Sequence, residues 1–186
     1  MKTYAYSIDK YCGNVGDRLS LTHTKNVIVH GAPGTGKLFV GERGVLYALF
    51  WGPSTFSATL TGLQANMIGG THIHKLCFLP TDNSTVHPFR CAMASIQRIK
   101  NKKVILHALL TVDVIFLDEA RQVSAEQLAT IDIIMRKLRQ SHLPFGGVLI
   151  IGTMDHSKTH PIQAMTFLLL TLALASFTMV QLKESV

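Results

Sequence analysis

The chain has 186 residues, room for one domain and too few for two full ones. Hydrophobic residues make up 47% and charged residues 16%, which excludes a disordered chain and allows a sizeable core. The formal net charge of +7 suits a polyanionic partner, because each neutralised phosphate releases counterions, but a basic surface alone does not identify one.

Residues 1–20 carry no clear period and read as a lead-in. Met1 to Lys10 is polar and lacks the apolar core of a secretion signal, which predicts an intracellular protein. The three cysteines, Cys12, Cys77 and Cys91, are widely spaced with no Cys-x-x-Cys, against both a disulfide framework and a zinc knuckle. Asn26 to His30 is a β-branched run that predicts a buried strand. A helix is predicted from about Leu38 to Trp51, burying Val40, Val45, Leu46 and Leu49 and ended by Gly52-Pro53. A second strand is expected near residues 54–58, then a short helix through Leu63 to Met67. Gly69-Gly70 leads into Thr71-His72-Ile73-His74, where His72 and His74 have the spacing of same-face strand residues.

Residues 80–90 hold two prolines and read as a loop, and Arg98 to Lys103 is a basic stretch. Val112 to Leu117 is a strongly apolar strand ending in Asp118-Glu119. Ser124 starts a helix, with Gln127 at the spacing of a capping box and Leu128, Ile131, Met135 and Leu138 recurring on one face. Val148 to Ile151 predicts another buried strand, followed by a loop over residues 152–162. The alternation of strand-like and helix-period segments predicts an α/β fold with a mostly parallel sheet flanked by helices.

Gly31-Ala32-Pro33-Gly34-Thr35-Gly36-Lys37 fits G-x-x-x-x-G-K between a strand and a helix. Glycines let successive backbone N–H groups turn towards phosphate oxygens, the helix directs its positive end at the same place, and Lys37 supplies a point charge for the β- and γ-phosphates. The position after the lysine ordinarily carries a hydroxyl for Mg²⁺; here it is Leu38, which cannot coordinate a hard cation. Asp118 is assigned to the Mg²⁺ shell and Glu119 to the attacking water. In sites of this kind the acid-bearing strand is expected beside the strand that feeds the phosphate loop, so that Lys37 and the two carboxylates converge on one triphosphate. Lys37, Asp118 and Glu119 are thus the predicted catalytic residues, with ATP and Mg²⁺ as cofactors.

Several stretches together resemble the PIF-one-type DNA helicases. They are the loop Gly31–Lys37, then Thr61-Gly62 with Ala65, Gly70 to His74, Leu117-Asp118-Glu119, Val123 to Leu128, and Leu143-Pro144-Phe145-Gly146-Gly147-Val148. The last is the most family-specific. The resemblance covers roughly residues 21–186 and implies a RecA-like P-loop ATPase domain over 21–162, with 163–186 beginning a continuation. It implies ATP-driven DNA unwinding, in replication, repair, recombination or telomere upkeep, in a nucleus or mitochondrion if eukaryotic. DNA, single-stranded or at a duplex junction, is the implied partner, with Thr61, Thr71 and His74 as candidate contacts. Gly31, Ala32, Pro33, Gly34, Thr35, Gly36, Lys37, Leu38 and Lys158 are the candidate nucleotide-binding residues. Lys158 stands where the family carries a γ-phosphate-sensing Gln, while Asp155 and Pro161 match its pattern. The family continues to an Arg-bearing motif and a second RecA-like domain, so unwinding by this chain alone is not expected.

Two other readings stay open: a nucleotide-binding module without turnover, given Leu38, and a membrane-tailed P-loop ATPase, given the apolar run over residues 164–180, although no stable membrane partner is expected. An AAA-type ATPase would leave Leu143 to Val148 unexplained.

Overall fold

Runs of β-branched and apolar residues, buried on both faces, form the strands of the computed structural model, which describes residues 26–50, 55–59, 70–79, 87–155 and 177–183. The strands are β1 (Asn26–Gly31), β2 (Thr55–Thr59), β3 (Thr71–His72), β4 (Val114–Asp118), β5 (Leu149–Asp155) and β6 (Phe177–Gln181). They make one sheet in the order β3-β2-β4-β5-β1-β6, with every pairing parallel. The helices are α1 (Lys37–Phe50), α2 (Ile73–Cys77), α3 (Pro88–Lys100), α4 (Lys103–Thr111) and α5 (Ala125–Arg139).

Period-two alternation along the strands divides the core. Val27, Val29, Val114, Phe116, Leu149 and Ile151 face α1, with Val40 and Val45 packed on them. Ile28, Ile115, Leu117, Ile150 and Met154 face the other way, joining Ile96 and Ile99 of α3 and Leu128, Ile131 and Met135 of α5. The expected capping box is present: Gln127 N–H donates to Ser124 Oγ at 3.1 Å and Ser124 N–H to Gln127 Oε1 at 3.0 Å. Such a cap stabilises a helix start by about 1 kcal/mol.

The segment Leu143 to Val148 has a structural reason for its sequence. Phe145, Gly146 and Gly147 are all left-handed, at φ 50, 65 and 84, and a Cβ on Gly146 would sit 2.7 Å from the Met135 carbonyl oxygen. Asp132 Oδ1 accepts the Phe145 N–H at 2.6 Å. Arg139 ties the turn to its surroundings: Nε donates to Gly146 O at 3.0 Å, and Nη1 to Leu109 O, Leu110 O and Val112 O at 3.2, 2.8 and 2.9 Å. The last carbonyls of α4 thereby gain a cation where the helix leaves them unpaired.

Four expectations are corrected. Residues 88–90 belong to α3 and not to a loop, because Pro88 fits the first helical position and His87 Nδ1 accepts the Phe89 N–H. The strand at 148–151 does not stop there; pairing with β1 extends β5 to Asp155. Leu46 is exposed, not buried, because α1 turns its Val40–Val45 side to the sheet. His72 and His74 do not share a strand, because His72 caps α2 through Nδ1 and His74 lies in that helix. The basic residues Arg98, Lys100, Lys102 and Lys103 are exposed at the junction of α3 and α4. Among the described residues no helix is long and apolar enough to cross a membrane, and Phe177–Gln181, which overlaps the end of the apolar run noted above, is a strand. The predicted helix over residues 63–67 lies outside the described residues.

Candidate nucleotide site

Chain order and sheet order disagree most around β1, β4 and β5, and in open α/β sheets the crevice at such a switch point lies beyond the carboxyl ends of the strands. The predicted phosphate loop and the two predicted acids fall there. β1 ends at Gly31, and the loop reaches α1 by Lys37. Gly34 and Gly36 are left-handed, at φ 78 and 77, a conformation glycine adopts without strain. Thr35 closes the loop on itself, its Oγ1 donating to Ala32 O at 2.9 Å. The first-turn N–H groups of α1 have no acceptor within the helix and add its positive dipole end to the same spot. Lys37 folds back over the loop, with Nζ donating to Gly31 O at 3.1 Å and to Ala32 O, and lying 3.6 Å from Asp155 Oδ2.

The acids arrive from β4. Asp118 has the same parity as Val114 and Phe116, so it lies on the α1 side of the sheet. Thr153 of β5 has that parity too; its hydroxyl donates to Asp118 Oδ1 and accepts the Glu119 N–H at 3.2 Å. Glu119 is buried and left-handed, at φ 54 and ψ 43, a conformation that costs a non-glycine residue on the order of 1 kcal/mol. Its Oε2 accepts from Gln122 Nε2. Arg121 Nη1 donates to Asp155 O at 3.3 Å, linking the turn after β4 to the end of β5.

One geometric expectation is overturned. The acid-bearing strand is not beside the loop-bearing strand: β5 lies between them, pairing with β4 through Leu117↔Gly152 and with β1 through Gly31↔Asp155. The two halves of the site are therefore bridged by Thr153 and Asp155 rather than adjacent. Thr153, Gln122 and Arg121 escaped the sequence reading, and Asp155 entered it only as a pattern match. The signal for Thr153 and Asp155 was their odd parity with Leu149 and Ile151, legible once the strand is known to reach Asp155.

A triphosphate suits the loop, whose amides and Lys37 provide positive charge. Mg²⁺ suits Asp118, whose Oδ2 is left beside the Thr153-bonded Oδ1, with water and phosphate oxygens completing the shell. Leu38, at the head of α1 and 37% exposed, brings no oxygen to it. Thr61 and Lys158 lie outside the described residues. Thr71 is half-buried on β3. His74 lies in α2 and not among these residues, with its Nε2 3.4 Å from Gln127 Nε2. Gln127 Oε1 is used in the cap, so its amide nitrogen is the group that faces the His74 ring. Burial, then the neighbouring His72, holds the His74 ring below its ordinary range.

The sequence model of the PIF1-like helicases matches residues 10–168. The chain belongs to the PIF1-like helicase family. This PIF1-like chain is 29% identical over 139 residues to the ATP-dependent DNA helicase RRM3 of Saccharomyces cerevisiae, covering 74% of this chain and 18% of the relative. It is 28% identical over 138 residues to the ATP-dependent DNA helicase PIF1 of Danio rerio, covering 74% and 20%. The chain thus spans about a fifth of the length of these curated relatives. Among solved structures, the Pif1 helicase from Candida albicans superposes with a TM-score of 0.76 at 20% identity, covering 97% of this chain and 40% of that one. The Bacteroides Pif1 helicase in complex with ADP-AlF3 and ssDNA gives 0.68 at 22%, covering 96% and 42%. At such identities the likeness establishes the RecA-like fold.

Proposed function

We propose that this chain is the ATP-binding motor domain of a DNA helicase, in which Lys37 and the Gly31–Leu38 loop hold the triphosphate, Asp118 holds Mg²⁺ and Glu119 orients the attacking water. The observation that supports the reading is that β5 contacts both halves at the carboxyl edge of the sheet, Asp155 beside Lys37 and Thr153 bonded to Asp118 and the Glu119 N–H. The bound ion would draw charge from the phosphates and supply a Lewis acid. Lys37 would neutralise the β- and γ-oxygens after leaving the loop carbonyls, and Lys158 would contact the γ-phosphate. DNA is the proposed polyanionic partner, met in part by Thr61, Thr71 and His74. Roles in DNA repair, recombination or telomere maintenance, in a nucleus or mitochondrion, are part of the proposal, as is coupling of hydrolysis to unwinding within a chain of the length of its relatives.

Leu38 favours a second reading, nucleotide binding with little turnover. Leu38→Thr separates the two. Restoring the hydroxyl at this exposed position is expected to raise Mg²⁺-dependent ATP hydrolysis about tenfold or more, within the range seen when groups around a bound metal are changed. The assay is phosphate release with and without single-stranded DNA. An unchanged rate, with ATP bound equally well, would leave Leu38 without blame for any defect. Failure of the wild-type chain to bind Mg²⁺–ATP would remove the proposal altogether.

A further inference from the structure

The buried hydroxyl of Thr153 touches both acids, bonding the Asp118 carboxylate and the Glu119 backbone, and it rests on no loop motif. Thr153 is 3% exposed, so water does not replace its contacts. Its proton goes to Asp118 Oδ1 and one of its two lone pairs receives the Glu119 N–H, so its only donor is committed to the carboxylate. A carboxylate torsion is otherwise broad and roughly two-fold, so Asp118 without this bond would have no fixed plane. The Glu119 backbone is left-handed, and the same hydroxyl anchors its N–H. At the head of α1, the position where a hydroxyl would ordinarily stand near the metal holds Leu38.

We infer that Thr153 is a positioning residue of the nucleotide site: it fixes the plane of the Asp118 carboxylate and the turn at Glu119, and so sets the affinity for Mg²⁺ in the presence of nucleotide. This rests on the nucleotide reading above. The role belongs to the hydroxyl and not to the methyl, which packs close to α1, 3.4 Å from where a Cβ on Gly41 would lie. Thr153→Val keeps the shape and deletes the two polar contacts. Thr153→Ser keeps the contacts and deletes the methyl.

The test follows the fluorescence of a methylanthraniloyl-labelled ATP on the full chain, titrated with Mg²⁺ and, separately, in EDTA. Thr153→Val is expected to raise the half-saturating Mg²⁺ concentration about tenfold while leaving metal-free nucleotide affinity within about twofold, because removal of an outer-shell partner weakens metal binding by that order. Thr153→Ser is expected to stay within about twofold of wild type in both conditions, given that it keeps the hydroxyl. Thr153→Ala, which brings no extra methyl against α1, is expected to reproduce the Mg²⁺ shift and serves if the valine chain does not fold. A wild-type Mg²⁺ dependence in the valine and alanine chains overturns the inference while leaving nucleotide binding in place. Equal losses with and without metal overturn it too, by showing a structural role only. A wild-type chain that binds no labelled ATP in either condition overturns the nucleotide reading instead.

Discussion

Lys37→Met should cost stability as well as nucleotide binding, and the two losses should separate in a double variant. The side chains of Lys37 and Asp155 are 11% and 10% exposed and 3.6 Å apart, so the substitution takes one cation away from a nearly buried carboxylate. Stripping one partner from a fully buried pair costs about 3–5 kcal/mol. Asp155 keeps other contacts and a little water, so about 2 kcal/mol is the appropriate scale here. For a domain of this length each kcal/mol moves the melting temperature by about 2–4 °C, giving a fall of about 4–8 °C. Adding Asp155→Asn removes the buried negative charge and should restore part of that loss. Mg²⁺–ATP at a hundred times its Kd should stabilise wild type by about 2.7 kcal/mol, or about 5–11 °C, and neither variant measurably. Thermal melts followed by circular dichroism, with and without Mg²⁺–ATP, read all three quantities. If Lys37→Met melts with wild type and Asp155→Asn restores nothing, the ion pair does not stabilise the site and the coupling between loop and β5 is wrong.

Two further outcomes follow from the packing around α5. Arg139→Met should lower stability by about 3 kcal/mol, since charge-assisted hydrogen bonds contribute about 1.5–3 kcal/mol each but do not add fully, and Arg139→Lys should recover less than half, because an ammonium lacks the planar fork; denaturant melts measure both. Burial, then the neighbouring His72, lowers the pKa of His74 in the fold below its free value of 6.5, so the unfolded chain takes up its proton first as pH falls. The stability it supports is whole above about pH 6.5 and declines as pH falls below that towards the depressed folded value, and urea unfolding at several pH values should show that slope flattened in His74→Gln.

Much of this site was legible because its signals are local. A phosphate loop declares itself through glycine spacing and a lysine, and the Ser124–Gln127 box through a three-residue interval. Asp118–Glu119 was readable because an apolar run ends abruptly in charge. What was missed depends on non-local order. Nothing in residues 148–155 says that their strand inserts between β1 and β4, yet that insertion brings Thr153 against Asp118 and Asp155 beside Lys37. Arg98 to Lys103 was read as a charge run because its basic residues hid the end of one helix and the start of the next, separated by Asn101 and Lys102. His74 looked like a strand residue by spacing, and the cap made by His72 is what turned the chain into a helix there.

β6 lies along the outer side of β1, and its bonding continues to Leu182, whose N–H donates to His30 O at 2.8 Å. The Leu182 carbonyl oxygen sits 2.8 Å from where a Cβ on Gly31 would be, so the two backbones are in touch at the loop's first residue. A pull along β6 would load these side-by-side bonds in shear, all together, instead of peeling them one at a time. Tension on that strand would therefore be delivered to Gly31 and Ala32, whose carbonyls grip Lys37, making the cradle itself a gauge of mechanical load.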